Sequence, residues 1–344
     1  MRRDGQSDLR QGVLHAYVRS RLHQWLGETA VQLELGVSVQ QEVAPRVGVT
    51  IGYFRRWFGN FYTLDNTLTS SSDYTAFSVP IPVDSRLPGG GGGTVSGLYN
   101  LNLDKVGQVQ DFAELTSRLG ADPIENWQGV DVGVNARLRN GLTVQGGTST
   151  GRTLQDNCAT RAVLPETYPW SSPVLGVSTI ATTQSLRGNS TTGLTSPYCR
   201  IVEPFLTSFR GLASYVVPKL DIQVSGTWRS DPGIDLAANY VVTNAIANSG
   251  PQPLGRNLSS GNVTVNLIPP STLYADRRNN LDLRVAKIFR AGRARTQVGI
   301  DIYNVTNADT VTTFNPTYVP NGPWLTPTTI TPARFVKVNT QIDF

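Results

Sequence analysis

The residues able to do chemistry in this sequence are few and poorly grouped. His15 and His23 are the only histidines; they stand eight apart with no cysteine near, so no zinc-ligand spacing exists. Cys158 and Cys199 are the only cysteines, both in Ser/Thr/Pro-rich sequence. A disulfide between them would close a loop of about forty residues, stabilise by roughly 4 kcal/mol in the chain-entropy treatment, and favour an oxidising compartment; two unpaired thiols are the alternative. No Gly-x-Ser-x-Gly is present, and the glycine run Gly89 to Gly93 lacks the Gly-Lys-Ser/Thr of a phosphate loop, so it reads as a flexible loop tip. Four Asn-x-Ser/Thr matches are expected by chance in a chain this rich in those residues. The sequence therefore predicts no enzyme, no cofactor and no metal. What remains is a set of single charges at Asp131, Arg137, Asp221, Arg229, Asp282, Arg284, Asp301 and Asp343. Each carboxylate alternates with apolar neighbours, which suits ion pairing with Arg137, Arg229 and Arg284 better than acid–base work.

The elements that carry these charges have period two. Apolar residues alternate with polar ones in nine segments, the marks of strands with one apolar and one polar face. They begin at Val31, Val47, Val130, Leu142, Phe205, Leu220, Leu281, Val298 and Val336. Their connections alternate strictly between turns of a few residues (near 44–45, 139–141, 218–219, 290–294) and long loops (about 65–125, 153–203, 230–275, 306–332). All short turns then fall at one end of the sheet, as in a transmembrane β-barrel and not in a sandwich. The polar faces, with Asp131, Arg137, Asp221, Arg229, Asp282, Arg284 and Asp301, are expected to face the lumen. Tyr53, Trp57, Phe58, Trp127, Tyr215, Trp228, Phe289 and Phe344 are expected to form interfacial girdles.

Composition agrees. Of 344 residues only 16% are charged and 39% hydrophobic, which excludes coiled coils and long helices, and no stretch approaches the roughly 18–20 apolar residues of a spanning helix. The net charge of +5 comes from scattered arginines, too sparse for a nucleic-acid surface. The loops read as polar, with one short helix expected within 107–119. Residues 1–29 read as a non-barrel N-terminal extension, adventitious to the rest: they lack a secretion-signal core, and Val13, Leu14, Tyr17, Val18, Leu22, Trp25 and Leu26 have helical spacing. Residues 30–344 are the barrel part.

Particular stretches carry a family resemblance. Tyr274-Ala-Asp-Arg-Arg-Asn-Asn-Leu-Asp-Leu-Arg-Val-Ala-Lys-Ile-Phe289, then Thr296-Gln-Val-Gly-Ile-Asp-Ile-Tyr-Asn-Val-Thr-Asn307, and the final Phe335-Val-Lys-Val-Asn-Thr-Gln-Ile-Asp-Phe344 resemble the closing strands of a TonB-dependent receptor of the large acidobacterial type. Val39 to Trp57 and Pro82 to Gly92 fit the same picture. The resemblance implies an all-β antiparallel transmembrane barrel of about twenty-two strands, with long extracellular loops and short periplasmic turns. Location in the cell outer membrane and uptake of a large nutrient (siderophore, glycan or peptide) follow, with Phe344 as the assembly signal. The partners it implies are outer-membrane lipid, the barrel-assembly machinery, a plug domain absent from this sequence, and the TonB energy-coupling complex. Nine strands leave two edges, and pairing the first with the last would be parallel, so the sequence reads as a C-terminal fragment that should not insert alone. The alternative is a secreted or surface-held all-β binding or adhesion module.

Overall fold

The computed structural model describes residues 13–25, 28–138, 141–165, 194–195, 197–291 and 294–343. Its centre is one antiparallel sheet with ten strands in an unbroken meander. They are β1 (Val13–Trp25), β2 (Glu28–Ala44), β3 (Val47–Gly59), β4 (Ile124–Arg137), β5 (Leu142–Asp156), β6 (Leu206–Val217), β7 (Ile222–Asp231), β8 (Arg278–Ala291), β9 (Ala294–Tyr303) and β10 (Phe335–Asp343). The short strand Arg200–Val202 adds to β5. At 9 to 17 residues, the ten match the length needed to cross a bilayer at a tilt. The sheet belongs to the antiparallel β-barrel class.

The tenth strand corrects the reading of residues 13–25. Their apolar spacing suggested a helix outside the barrel, yet Val13–Trp25 pairs residue for residue with β2, from Val13 opposite Gln40 to Trp25 opposite Glu28. The sequence also alternates there, with Leu14, Ala16, Val18 and Leu22 against His15, Tyr17, Arg19, Arg21 and His23. A stretch that fits both periods is decided by the open hydrogen-bonding edge of β2, which tertiary pairing fills. With ten strands, β1 and β10 run antiparallel to each other. Parallel closure, expected from nine, does not arise. β1 ends at Trp25 and β2 begins at Glu28, so the first connection is short and breaks the strict alternation of loop lengths.

Register sorts the side chains into two faces. One row runs Thr50, Gly133, Gly147, Arg210, Arg229, Asn280 from β3 to β8. The row beside it runs Gly52, Asp131, Ser149, Ser208. This face is concave. The other bears Val130 and Val134 on β4, Val285 and Phe289 on β8, Ile300 on β9, and Val336 and Val338 on β10, all exposed. Val338 is 69% exposed, where a water-soluble sheet would bury such a residue.

The apolar core lies elsewhere. Phe77, Val79, Val95 and Leu98 of loop 60–123 pack with Val242, Val263, Val265 and Ile268 of loop 232–277 and with Tyr318 and Trp324 of loop 304–334. Three of the long loops, expected to be polar, thus fold together into a cap. Two hairpins within the first loop frame it, Tyr62–Asn66 with Asp111–Leu115 and Tyr74–Pro80 with Thr94–Leu101. Segment 107–119 holds the strand Asp111–Leu115 and a single 3-10 turn, Thr116–Leu119, in place of the expected helix. The glycine run is a built turn: Gly89 to Gly92 all have positive φ, and a Cβ on Gly91 would lie 2.1 Å from the Pro82 carbonyl oxygen.

Candidate functional site

The concave face forms a trough of about 940 Å³ along β3 to β8. Its lining carries the polar side chains of Thr50, Asp131, Gln145, Ser149, Ser208, Arg210, Thr227, Arg229, Asn280 and Asp282 among apolar ones such as Phe54 and Leu212. The floor is opened by glycine, at Gly52, Gly133 and Gly147. At one flank the Trp127 ring lies flat on the wall. A Cβ on Gly129 or on its cross-strand neighbour Gly151 would come within 2.6 Å of that ring, so two glycines make room for one indole. Trp127 and Phe58 therefore face inward by register, not into the girdle expected of them. Tyr53, Tyr215, Trp228 and Phe289 have the outward parity, and Phe209 stacks on Trp228 with ring centres 6.0 Å apart.

The expected ion pairs form only in part. Arg284 meets Asp301 at 3.6 Å, and Asn339 ties them together, donating to Asp301 at 2.6 Å and accepting from Arg284 at 3.0 Å. Asp282 has no arginine; its carboxylate accepts from the Asn280 amide at 3.0 Å and the Asn304 backbone N–H at 2.8 Å. Asp221 is a correction. It precedes the first residue of β7, has φ 48°, and pairs with Arg290 at 2.6 Å on the short-turn rim, outside the trough. Arg137 ends β4 at that same rim, where its backbone N–H donates to the Arg46 carbonyl. Asp343 lies 3.9 Å from Arg295. Asp131 is within the trough wall, and its Oδ1 is buried with no hydrogen-bond partner. Phe344 lies outside the described residues.

Cys158 and Cys199 are joined by a disulfide, pinning the start of loop 157–205 to its end beside Arg200–Val202.

Sequence reading missed Arg210 and Glu34. Arg210 sits on the polar parity of β6 with Ser208 and Ser214, and that parity was its only signal. Glu34 pairs with Arg56 at 3.0 Å on the concave face of β2 and β3.

The cap has its own polar centre. Arg86 donates to Asp84 at 2.6 Å, and the Tyr318 hydroxyl donates to the same carboxylate at 2.9 Å. These bonds, those from Arg86 foremost, hold the Asp84 carboxyl well below the usual carboxylate range. Burial, with the neighbouring Asp84, pushes the Tyr318 phenol up to about 12. Arg256 donates to the carbonyls of Asn100 and Leu101, locking two loops together.

An antiparallel meander with an exposed apolar outer face and a polar concave face defines a membrane-barrel type of sheet. No family model and no curated protein matches the chain. Among solved structures it is similar to the outer membrane transporter YddB from Escherichia coli, with TM-score 0.48 and 10% identity, over 91% of this chain and 32% of that one. The chain spans about a third of that transporter's length.

Proposed function

We propose that this chain forms a wall sector of an outer-membrane β-barrel transporter of the TonB-dependent receptor kind, binding and passing a large nutrient with no catalytic step. The observation that carries this reading is the outward apolar face on successive strands, with Ile300, Val336 and Val338 exposed while Arg284, Asp301 and Asn339 lie on the concave face. A contiguous apolar surface of that extent needs lipid or a partner to cover it. Among the described residues β1 and β10 each have a single neighbour, so both edges need further strands in the membrane, where unpaired backbone groups cost several kcal/mol each. On this reading the trough lines the lumen and the cap stands outside the cell. A plug domain and the TonB complex supply gating and energy, and the barrel-assembly machinery inserts the sheet.

Separating membranes on a density gradient tests this. Assembled with the strands that complete the barrel, the chain should travel with the outer membrane and resist carbonate extraction. Recovery in the soluble periplasm would contradict it and favour a secreted or surface-held binding module, a reading that the separately packed cap supports.

A further inference from the structure

The trough contains a charge arrangement that the sheet itself does not balance. Arg210 on β6 stands directly opposite Arg229 on β7. Like charges at directly opposite positions destabilise a sheet. Several other strand arginines have an acid, as Arg56 has Glu34, Arg278 has Asp231, Arg284 has Asp301 and Arg290 has Asp221, while Arg55 and Arg152 lie over the Trp57 and Phe205 rings. Among the described residues neither Arg210 nor Arg229 meets a carboxylate or a hydrogen-bond acceptor. The two acids of the trough wall are engaged or distant. Asp282 turns its Oδ1 to the Asn280 amide and the Asn304 backbone N–H, and Asp131 lies two strands from Arg210 with Ser149 between.

The surroundings suit an anion. Next to Arg210 the row continues through Gly147 and Gly133, so no side chain stands beside the guanidinium on that side. Ser149, Ser208 and Thr227 bring hydroxyl donors, and Asn280, opposite Arg229, brings an amide. Both arginines lie toward the long-loop end of their strands, so the site opens toward the cap. Guanidinium groups bind planar or tetrahedral oxyanions through paired N–H donors.

We propose that Arg210 and Arg229 together bind a carboxylate, phosphate or sulfate group of the solute that enters the trough. This rests on the reading of the trough as a ligand passage and names the class of ligand it takes. Binding removes the repulsion between the two arginines, so the anion stabilises the sheet as well as being held by it.

The test uses the full chain in detergent, with inorganic phosphate and succinate as probes, followed by calorimetric titration and thermal unfolding. Wild type should bind at least one probe saturably, and both Arg210→Gln and Arg229→Gln should weaken that binding at least tenfold. Arg278→Gln, on the rim and outside the trough, should change it less than twofold. Without anion, Arg229→Gln should unfold at a higher temperature than wild type, and the probe should raise the midpoint of wild type alone. Equal affinity in all three variants, or no saturable binding by folded wild type, would overturn the site. A chain found in the soluble periplasm that still binds through the two arginines would sink the transport reading and leave the site standing.

Discussion

The sheet and the cap solve opposite problems with the same residue types. In the cap, Phe77, Val79, Leu98 and Val265 are sealed from solvent, and the polar Asp84–Arg86–Tyr318 cluster sits at the edge of that core. In the sheet, Val285, Ile300 and Val338 point outward and are exposed, while Asp301, Arg284 and Asn339 face the concavity. Apolar burial against protein organises one region; the other presents its apolar surface to something not of this chain. On the proposed reading, the boundary between membrane and solvent runs where the strands give way to the long loops.

Substitutions can break this contrast. The largest effect is expected in the cap: Phe77→Ala, at a fully buried site, should cost about 3–5 kcal/mol and speed protease cutting of the loops, leaving outer-membrane partition intact. Replacing Cys158 and Cys199 with serine should lose about 4 kcal/mol of loop restraint, read as faster cleavage within 157–205 under oxidising conditions. Ile300→Arg should cost about 2–4 kcal/mol in the bilayer and reduce the yield of membrane-inserted chain. The same change at Gln341, on the concave parity of β10, should stay within about 0.5 kcal/mol. An Ile300→Arg variant with full insertion would remove the distinction between the faces.

Acid should separate the regions more gently. Asp84 has its carboxyl held below its unfolded value of about 3.9, so its stabilising contribution is complete above that pH. It is lost as pH falls further toward the native value. Near-ultraviolet circular dichroism of the Tyr318 and Trp324 environment should therefore weaken below about pH 4, and Asp84→Asn should flatten that dependence.

Much of the sheet was legible because strand pairing reads a simple period. All nine alternating segments became strands, and the turn at Gly141 has the φ of 86° that its glycine permits. Strand β1 was not legible because Val13, Leu14, Tyr17 and Val18 satisfy helical spacing as well as alternation, and only the edge of β2 decides between them. The cap was hidden for a different reason. Its core residues are scattered over three loops, from Phe77 to Trp324, and no local period announces contacts made across such distances. Among the residues of the concave face, Arg229, Asp282 and Arg284 followed from parity alone. The neighbours that decide their partners did not, since Arg284 meets Asp301 only through cross-strand register to the residue, and Asp282 takes instead the amide of Asn280 on its own strand.

The most direct test is a cysteine scan along β10 in membranes, from Val336→Cys to Ile342→Cys, with a water-soluble maleimide and a lipid-soluble quencher. The native Cys158–Cys199 disulfide keeps the background silent. Positions 336, 338, 340 and 342 should resist the maleimide and be quenched from lipid, while 337, 339 and 341 should label from water. Uniform labelling of all seven, with no alternation and no quenching, would contradict a sheet whose outer face meets the membrane.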